Sequence, residues 1–134
     1  MRSLFPAITF MALGFCACGP WAVRAADEIE FAPETGFLTL PDGWKLGACS
    51  AVAFSSKGEL YLFHRGQHPI LCFDAQGRYL RSWGDDVIKM AHGLRVDRDD
   101  NVWITDIGSH RVFKFDSNGK LLLALGTGKP GDDQ

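Results

Sequence analysis

"SAVAFSSKGELYLFHRGQHPILCFDAQGRYLRSWG", residues 50–84, lies without a gap on "HGLRVDRDDNVWITDIGSHRVFKFDSNGKLLLALG", residues 92–126. Gly66 falls on Gly108, His68 on His110, Phe73 on Phe115 and Asp74 on Asp116, each 42 residues later. Gly77, Leu80 and Gly84 fall on Gly119, Leu122 and Gly126 at the same offset. A fixed period of this size marks stacked supersecondary units. Each copy reads as four short strands. In the second copy they run over about 93–97, 101–106, 111–116 and 120–125, where Val, Ile, Phe, Trp and Leu dominate. "AQGR" at 75–78 and "SNGK" at 117–120 are hairpin turns in which glycine supplies the positive φ. Val102 and Ile104 point to one face of their strand, Trp103 and Thr105 to the other. Large apolar residues on both faces predict that both are covered. The predicted fold class is therefore all-β, with blades of four antiparallel strands packed face to face as in a β-propeller.

Outside the repeat, the sequence changes character. "MRSLFPAITFMALGFCACGPWAVRA" carries Arg2, an apolar run from Leu4 to about Cys18, and small residues after it. This reads as a secretory signal, with Val23 and Ala25 placing cleavage after Ala25. The apolar run is short for a membrane span, and Gly19-Pro20 breaks it. A lipoprotein signal ending at Cys18 is a further option, set back by Phe15 where an aliphatic residue is preferred. The expected location is secreted or periplasmic, with no membrane span after cleavage. Loss of Arg2 and Arg24 lowers the basic count from 14 to 12 while the acids stay at 16, so the charge becomes about −4. No basic patch survives, which argues against nucleic acid as a partner. Cys49 and Cys72 remain, and an oxidising compartment permits a disulfide between them. Two cysteines make no scaffold, and free packed thiols are the expected state.

The expected organisation is a signal over 1–25, an N-terminal extension over 26–48, a first blade over 49–84 and a linker over 85–91. A second blade over 92–126 and a linker over 127–134 follow. "DIGSHRVFKFDSNGKLLLALG" resembles an NHL repeat, whose signature is a polar residue, then His, at the third strand. Ser109-His110-Arg111 fits it, and Gln67-His68-Pro69 fits it less well. His68 and His110 are therefore read as framework residues of a turn. Two blades do not close a ring, since propellers have four to eight. The chain is expected to be the N-terminal piece of a longer protein, or to join other chains, with the missing blades supplied in cis or in trans.

Three stretches stand out beyond the framework: "FHRG" at 63–66, "AHGLRVD" at 91–97 and "NVWITDIGSHRVFKFD" at 101–116. With "PDGWKLGACSAVAF" upstream, they are similar to the peptidylglycine α-hydroxyamidating lyase (peptidylamidoglycolate lyase) family. The resemblance covers roughly residues 40–132. It implies about two blades of a six-bladed NHL-type propeller. The implied activity is cleavage of peptidyl-α-hydroxyglycine, or a similar small hydroxyglycine substrate, to an amide and glyoxylate. It also implies roles for four residues. His92 matches one of three histidines on a catalytic zinc, and catalytic zinc takes three protein ligands and keeps one open position. Arg65 matches an active-site arginine, suited to a substrate carboxylate or to charge developing as the C–N bond breaks. The backbone carbonyls of Val52 and Leu94, again 42 apart, match ligands of a structural calcium, an oxygen-seeking ion.

The family's proposed base is a tyrosine, and this chain has only Tyr61 and Tyr79, both inside first-blade strands. The other zinc histidines and the acidic calcium ligand belong to later blades, so these two blades alone are expected to be inactive. Read without the resemblance, His92 is a hydrogen-bonded loop residue and Arg65 a surface ion pair. His64 is read as framework, and Asp97, Asp99, Asp100 and Asp106 as turn caps or solvated loop acids. The alternative function is a non-enzymatic NHL scaffold that binds protein or carbohydrate, because one fold hosts many functions.

Overall fold

Tight turns and apolar alternation cut the chain into eight strands. A computed structural model describes residues 30–130, so the signal and its cleavage site lie outside the described residues. β1 spans Ala48–Phe54, β2 Leu60–Arg65, β3 Ile70–Phe73 and β4 Tyr79–Trp83. β5 spans Ala91–Val96, β6 Val102–Asp106, β7 Arg111–Phe115 and β8 Leu121–Leu125. They form two four-stranded sheets, ordered β1-β2-β3-β4 and β5-β6-β7-β8. All pairings are antiparallel. No helix is present among the described residues. Each sheet is a meander of four consecutive antiparallel strands, the build of a β-propeller blade. Gly77 and Gly119 close the third hairpin of each blade with φ of 74° and 87°, where an L side chain would be strained.

The recurring histidines take the same strained conformation. His68 and His110 have φ of 57° and 53° in the turns that join the second and third strands. Their recurrence follows from that backbone position, which few residues other than Gly and Asn occupy readily. They are turn residues, as the repeat predicts.

Packing joins the blades through one face of each. Tyr61, Phe63, Ile70, Cys72 and Trp83 of the first blade meet Leu94, Val102, Ile104, Phe113 and Phe115 of the second. Burying aromatic and aliphatic side chains stabilises this contact by about 25 cal/mol per Å² of apolar surface removed from water. Polar clamps fix its register. Asp100 accepts from Ser56 N at 2.7 Å and Ser56 Oγ at 2.6 Å. Arg81 grips Glu59 with both terminal nitrogens, at 3.0 and 2.9 Å, and donates Nε to the Ser117 carbonyl at 2.8 Å.

The first blade's other face is covered by its own N-terminal extension. Leu38, Leu40 and Trp44 pack on Leu60, Leu62, Leu71 and Phe73. Trp44 stacks on the His68 ring at 3.7 Å, and Thr39 N donates to the Gly77 carbonyl at 2.8 Å. Coverage of both faces, expected for both blades, holds for the first blade only in part and fails for the second. Val52 and Phe54 at the inner strand are 57% and 66% exposed, and every residue of β8 is exposed. The five-residue run "LLLAL" reads as a buried strand, but no neighbouring sheet covers it among the described residues. Cys49 and Cys72 are both free. Cys72 is packed, and burial pushes its thiol up to about 11, whereas Cys49 is exposed, contrary to the expected packing of both.

Candidate functional site

The innermost strands carry the site. β1 and β5 both break register with their neighbours, between Cys49 and Ala51 and between Ala91 and Gly93. The residues left over are Ser50 and His92. A β-bulge gives up ladder pairing at one residue and re-aims its side chain. His92 is exposed on that bulge and lines a cleft of about 420 Å³ with Ser50, Val52, Leu94, Trp103 and Thr105. Three residues nominated from sequence, Val52, His92 and Leu94, therefore share one cleft. A Cβ at Gly93 would lie 2.9 Å from Thr105 Oγ1. The glycine lets β5 pass close to β6.

Arg65, the last residue of β2, reaches the same strand. Its Nε donates to the Ala91 carbonyl at 3.1 Å, one residue before His92. Among the described residues its terminal nitrogens have no hydrogen-bond partner, and it forms no ion pair. That replaces the surface ion pair the sequence suggests. Arg65 lines a neighbouring hollow of about 290 Å³ with His64, Gly66 and Lys89. The guanidinium is held at one nitrogen with its fork free, a geometry suited to a carboxylate.

Two buried polar side chains support these residues from behind, and sequence reasoning ranked both too low. Asp106 is 2% exposed, not the solvated cap expected of it. It accepts from Lys89 N and Met90 N, both at 2.8 Å, from Gly108 N at 2.9 Å and from Ser109 Oγ at 2.8 Å. Burial pushes its carboxyl up, but these bonds outweigh that and hold it below the ordinary value. His64 stands 42 residues earlier, at the equivalent place. Its Nδ1 accepts from Gly47 N at 3.0 Å, and Nε2 lies 3.1 Å from the His68 carbonyl. The alignment of two acceptors at one register position was the available signal. Of the other acids, Asp97 is a turn cap that accepts from Asn101 N, Asp99 N and Trp103 Nε1, whereas Asp100 is the inter-blade clamp on Ser56.

The His64 bonds require a neutral ring, with the proton on Nε2. Burial, the largest cause, holds its pKa below the ordinary 6.5. The unfolded chain therefore takes a proton at higher pH than the folded one. Stability is full above about 6.5 and falls as pH drops through the lower, folded value. Denaturant unfolding between pH 7.5 and pH 5 measures the loss. His64→Asn keeps an acceptor but cannot titrate, so its stability is expected to vary less over that range. Equal pH slopes for the variant and the parent would sink this assignment.

Neither implied metal is satisfied by the residues in hand. Among the described residues no three His, Cys, Asp or Glu side chains gather to hold an ion. The cleft offers one imidazole and no carboxylate, short of a zinc site and of the six to eight oxygens calcium takes.

Residues 89–115, which include the bulge and Asp106, match the NHL repeat family. The chain is 33% identical to peptidylglycine alpha-amidating monooxygenase of Rattus norvegicus, over 87% of this chain and 14% of that protein. It is 37% identical to peptidyl-alpha-hydroxyglycine alpha-amidating lyase 1 of Drosophila melanogaster, over 61% of this chain and 20% of that one. It is also 38% identical to NHL repeat-containing protein 3 of Mus musculus, over 85% of this chain and 38% of that one. The chain thus spans well under half the length of these relatives. The chain carries an NHL repeat over residues 89–115, folds as β-propeller-type blades, and its sequence resembles the peptidylglycine amidating lyases.

Proposed function

We propose that the chain forms part of an exported, zinc-dependent lyase that cleaves the C–N bond of peptidyl-α-hydroxyglycine or a similar small hydroxyglycine compound. The observation that supports this reading is the Arg65–Ala91 bond, which holds the Arg65 guanidinium next to the bulge that carries His92. Arg65 anchors the substrate carboxylate through its free terminal nitrogens. His92 presents an imidazole nitrogen as one ligand to zinc, whose other ligands would lie outside the described residues. The carbonyls of Val52 and Leu94 serve a calcium ion on the same terms. Export rests on the signal-like residues 1–25. The exposed strand β8 and the open face of the second blade are what further blades, in cis or in trans, would cover. These two blades alone are inactive on this reading.

The test is glyoxylate release from a peptidyl-α-hydroxyglycine by the protein as encoded in its natural reading frame. Arg65→Ala is expected to lower kcat/KM by on the order of a hundredfold, the usual loss for one charge-stabilising donor. Arg65→Lys keeps the charge but loses the fork, and is expected to recover little. Activity unchanged in Arg65→Ala would overturn the role given to Arg65. The second reading, a binding scaffold without catalysis, is favoured by the ligand-poor cleft. Absence of both glyoxylate release and stoichiometric zinc would leave that reading in place.

A further inference from the structure

Both inner strands carry the same bulge, but only one bulge carries a histidine. Ser50 and His92 hold equivalent positions. Opposite the residue before each stands a buried acceptor, His64 facing Cys49 and Asp106 facing Ala91. The two acceptors differ in strength. The neutral His64 ring takes one N–H from the chain approaching Ser50, that of Gly47. The Asp106 carboxylate takes two from the chain approaching His92, those of Lys89 and Met90. The Met90 carbonyl is bound in turn by Ile107 N at 3.2 Å, and the Ala91 carbonyl by Arg65 Nε. Three consecutive residues before His92 are thereby fixed. A bulged residue lacks a ladder partner, so its direction is set by the chain on either side. Hydrogen bonds to an ionised acceptor are the stronger class. The stronger brace stands behind the imidazole and the weaker one behind the serine.

We infer that Asp106 is a positioning residue for His92: its buried carboxylate braces the β5 bulge and fixes how the imidazole enters the cleft. The inference rests on His92 being the functional group of that cleft. Its test needs neither metal nor substrate. Ring resonances of the histidines and amide exchange are measured by NMR on the labelled full chain and on Asp106→Asn. In the variant the Lys89 and Met90 amides exchange about tenfold faster or more, matching the loss of bonds to a charged acceptor. The His92 ring signal shifts toward that of a disordered peptide, while those of His64 and His68 in the first blade stay in place. Ser109→Ala removes one bond from the carboxylate, away from the bulge, and leaves the His92 signal unmoved. If Asp106→Asn does not fold, a chain with an ester in place of the Lys89–Met90 peptide bond removes the Met90 N–H alone and gives the same readout. An unmoved His92 signal in a folded variant, or equal movement of all three histidines, overturns the inference. A parent protein that shows this pattern yet releases no glyoxylate separates it from the lyase reading.

Discussion

Phe115→Ala is expected to destabilise the two-blade chain by about 3–5 kcal/mol, the usual cost of deleting a buried phenyl ring. Phe115 is 2% exposed and sits where the blades meet. Its ring lies 6.4 Å from Trp83 of the first blade, edge to face, and 6.2 Å from Phe113 beside it. Truncation opens a void bounded by both sheets. Neither sheet can close it alone, because Arg81 and Asp100 clamp their separation. A domain of this size has about 5–15 kcal/mol in all, so the loss is a large share. Denaturant unfolding followed by tryptophan fluorescence measures it, since Trp83 reports on the same contact. Leu121→Ala is the control. That leucine is 44% exposed in β8, and its truncation is expected to stay within about 0.5 kcal/mol. If Phe115→Ala costs no more than Leu121→Ala, the blades do not pack as described.

The contrast between Phe115 and Leu121 also marks what sequence could say. Both lie in apolar strands at matching register, and their patterns look alike. Period-2 alternation locates strands and faces, and the repeat fixes which residues are equivalent. The turn glycines, the buried Val102 and Ile104, and the framework histidines were all legible that way. Coverage of a face was not, because it depends on what stands next to the sheet. The extension over residues 37–47 lacks any repeat partner, so the stack of Trp44 on His68 had no signature.

The site was legible in its parts and not in its joins. His92, Arg65, Val52 and Leu94 were each nominated through resemblance. The structure adds that His92 stands on a bulge and that Arg65 is tied to its neighbour, a contact across 26 positions. Asp106 was misjudged because an aspartate at a strand end reads as a solvated cap. Burial, which turns such a cap into a brace, is a tertiary property.

Gly47→Ala is expected to cost about 2–4 kcal/mol and to disturb the site with it. A Cβ on Gly47 would meet the Arg65 carbonyl oxygen and carbon, the latter at 2.6 Å, both backbone atoms that no rotamer change can clear. Overpacking of this kind costs about 1–3 kcal/mol. Separation of the strands also breaks the Gly47 N–His64 Nδ1 bond, whose loss leaves a buried acceptor unpaired at about 1 kcal/mol more. The strain falls on Arg65 in particular, because Ala48 and Arg65 are register partners at the end of β1 and β2. Any displacement there pulls its guanidinium from the Ala91 carbonyl. Two measurements on one variant separate the consequences. Unfolding free energy reports the collision, and the exchange rate of the Arg65 Nε proton reports the bond to Ala91. Gly66→Ala gives the comparison: its Cβ would press on the His64 ring at 2.9 Å, straining the bond to Gly47 N, but would meet no backbone atom closer than Gly47 N at 3.3 Å. It is expected to destabilise less and to leave the Arg65 Nε proton protected. A Gly47→Ala protein as stable as its parent, with that proton still protected, would mean that the two strands do not approach as closely as the site requires.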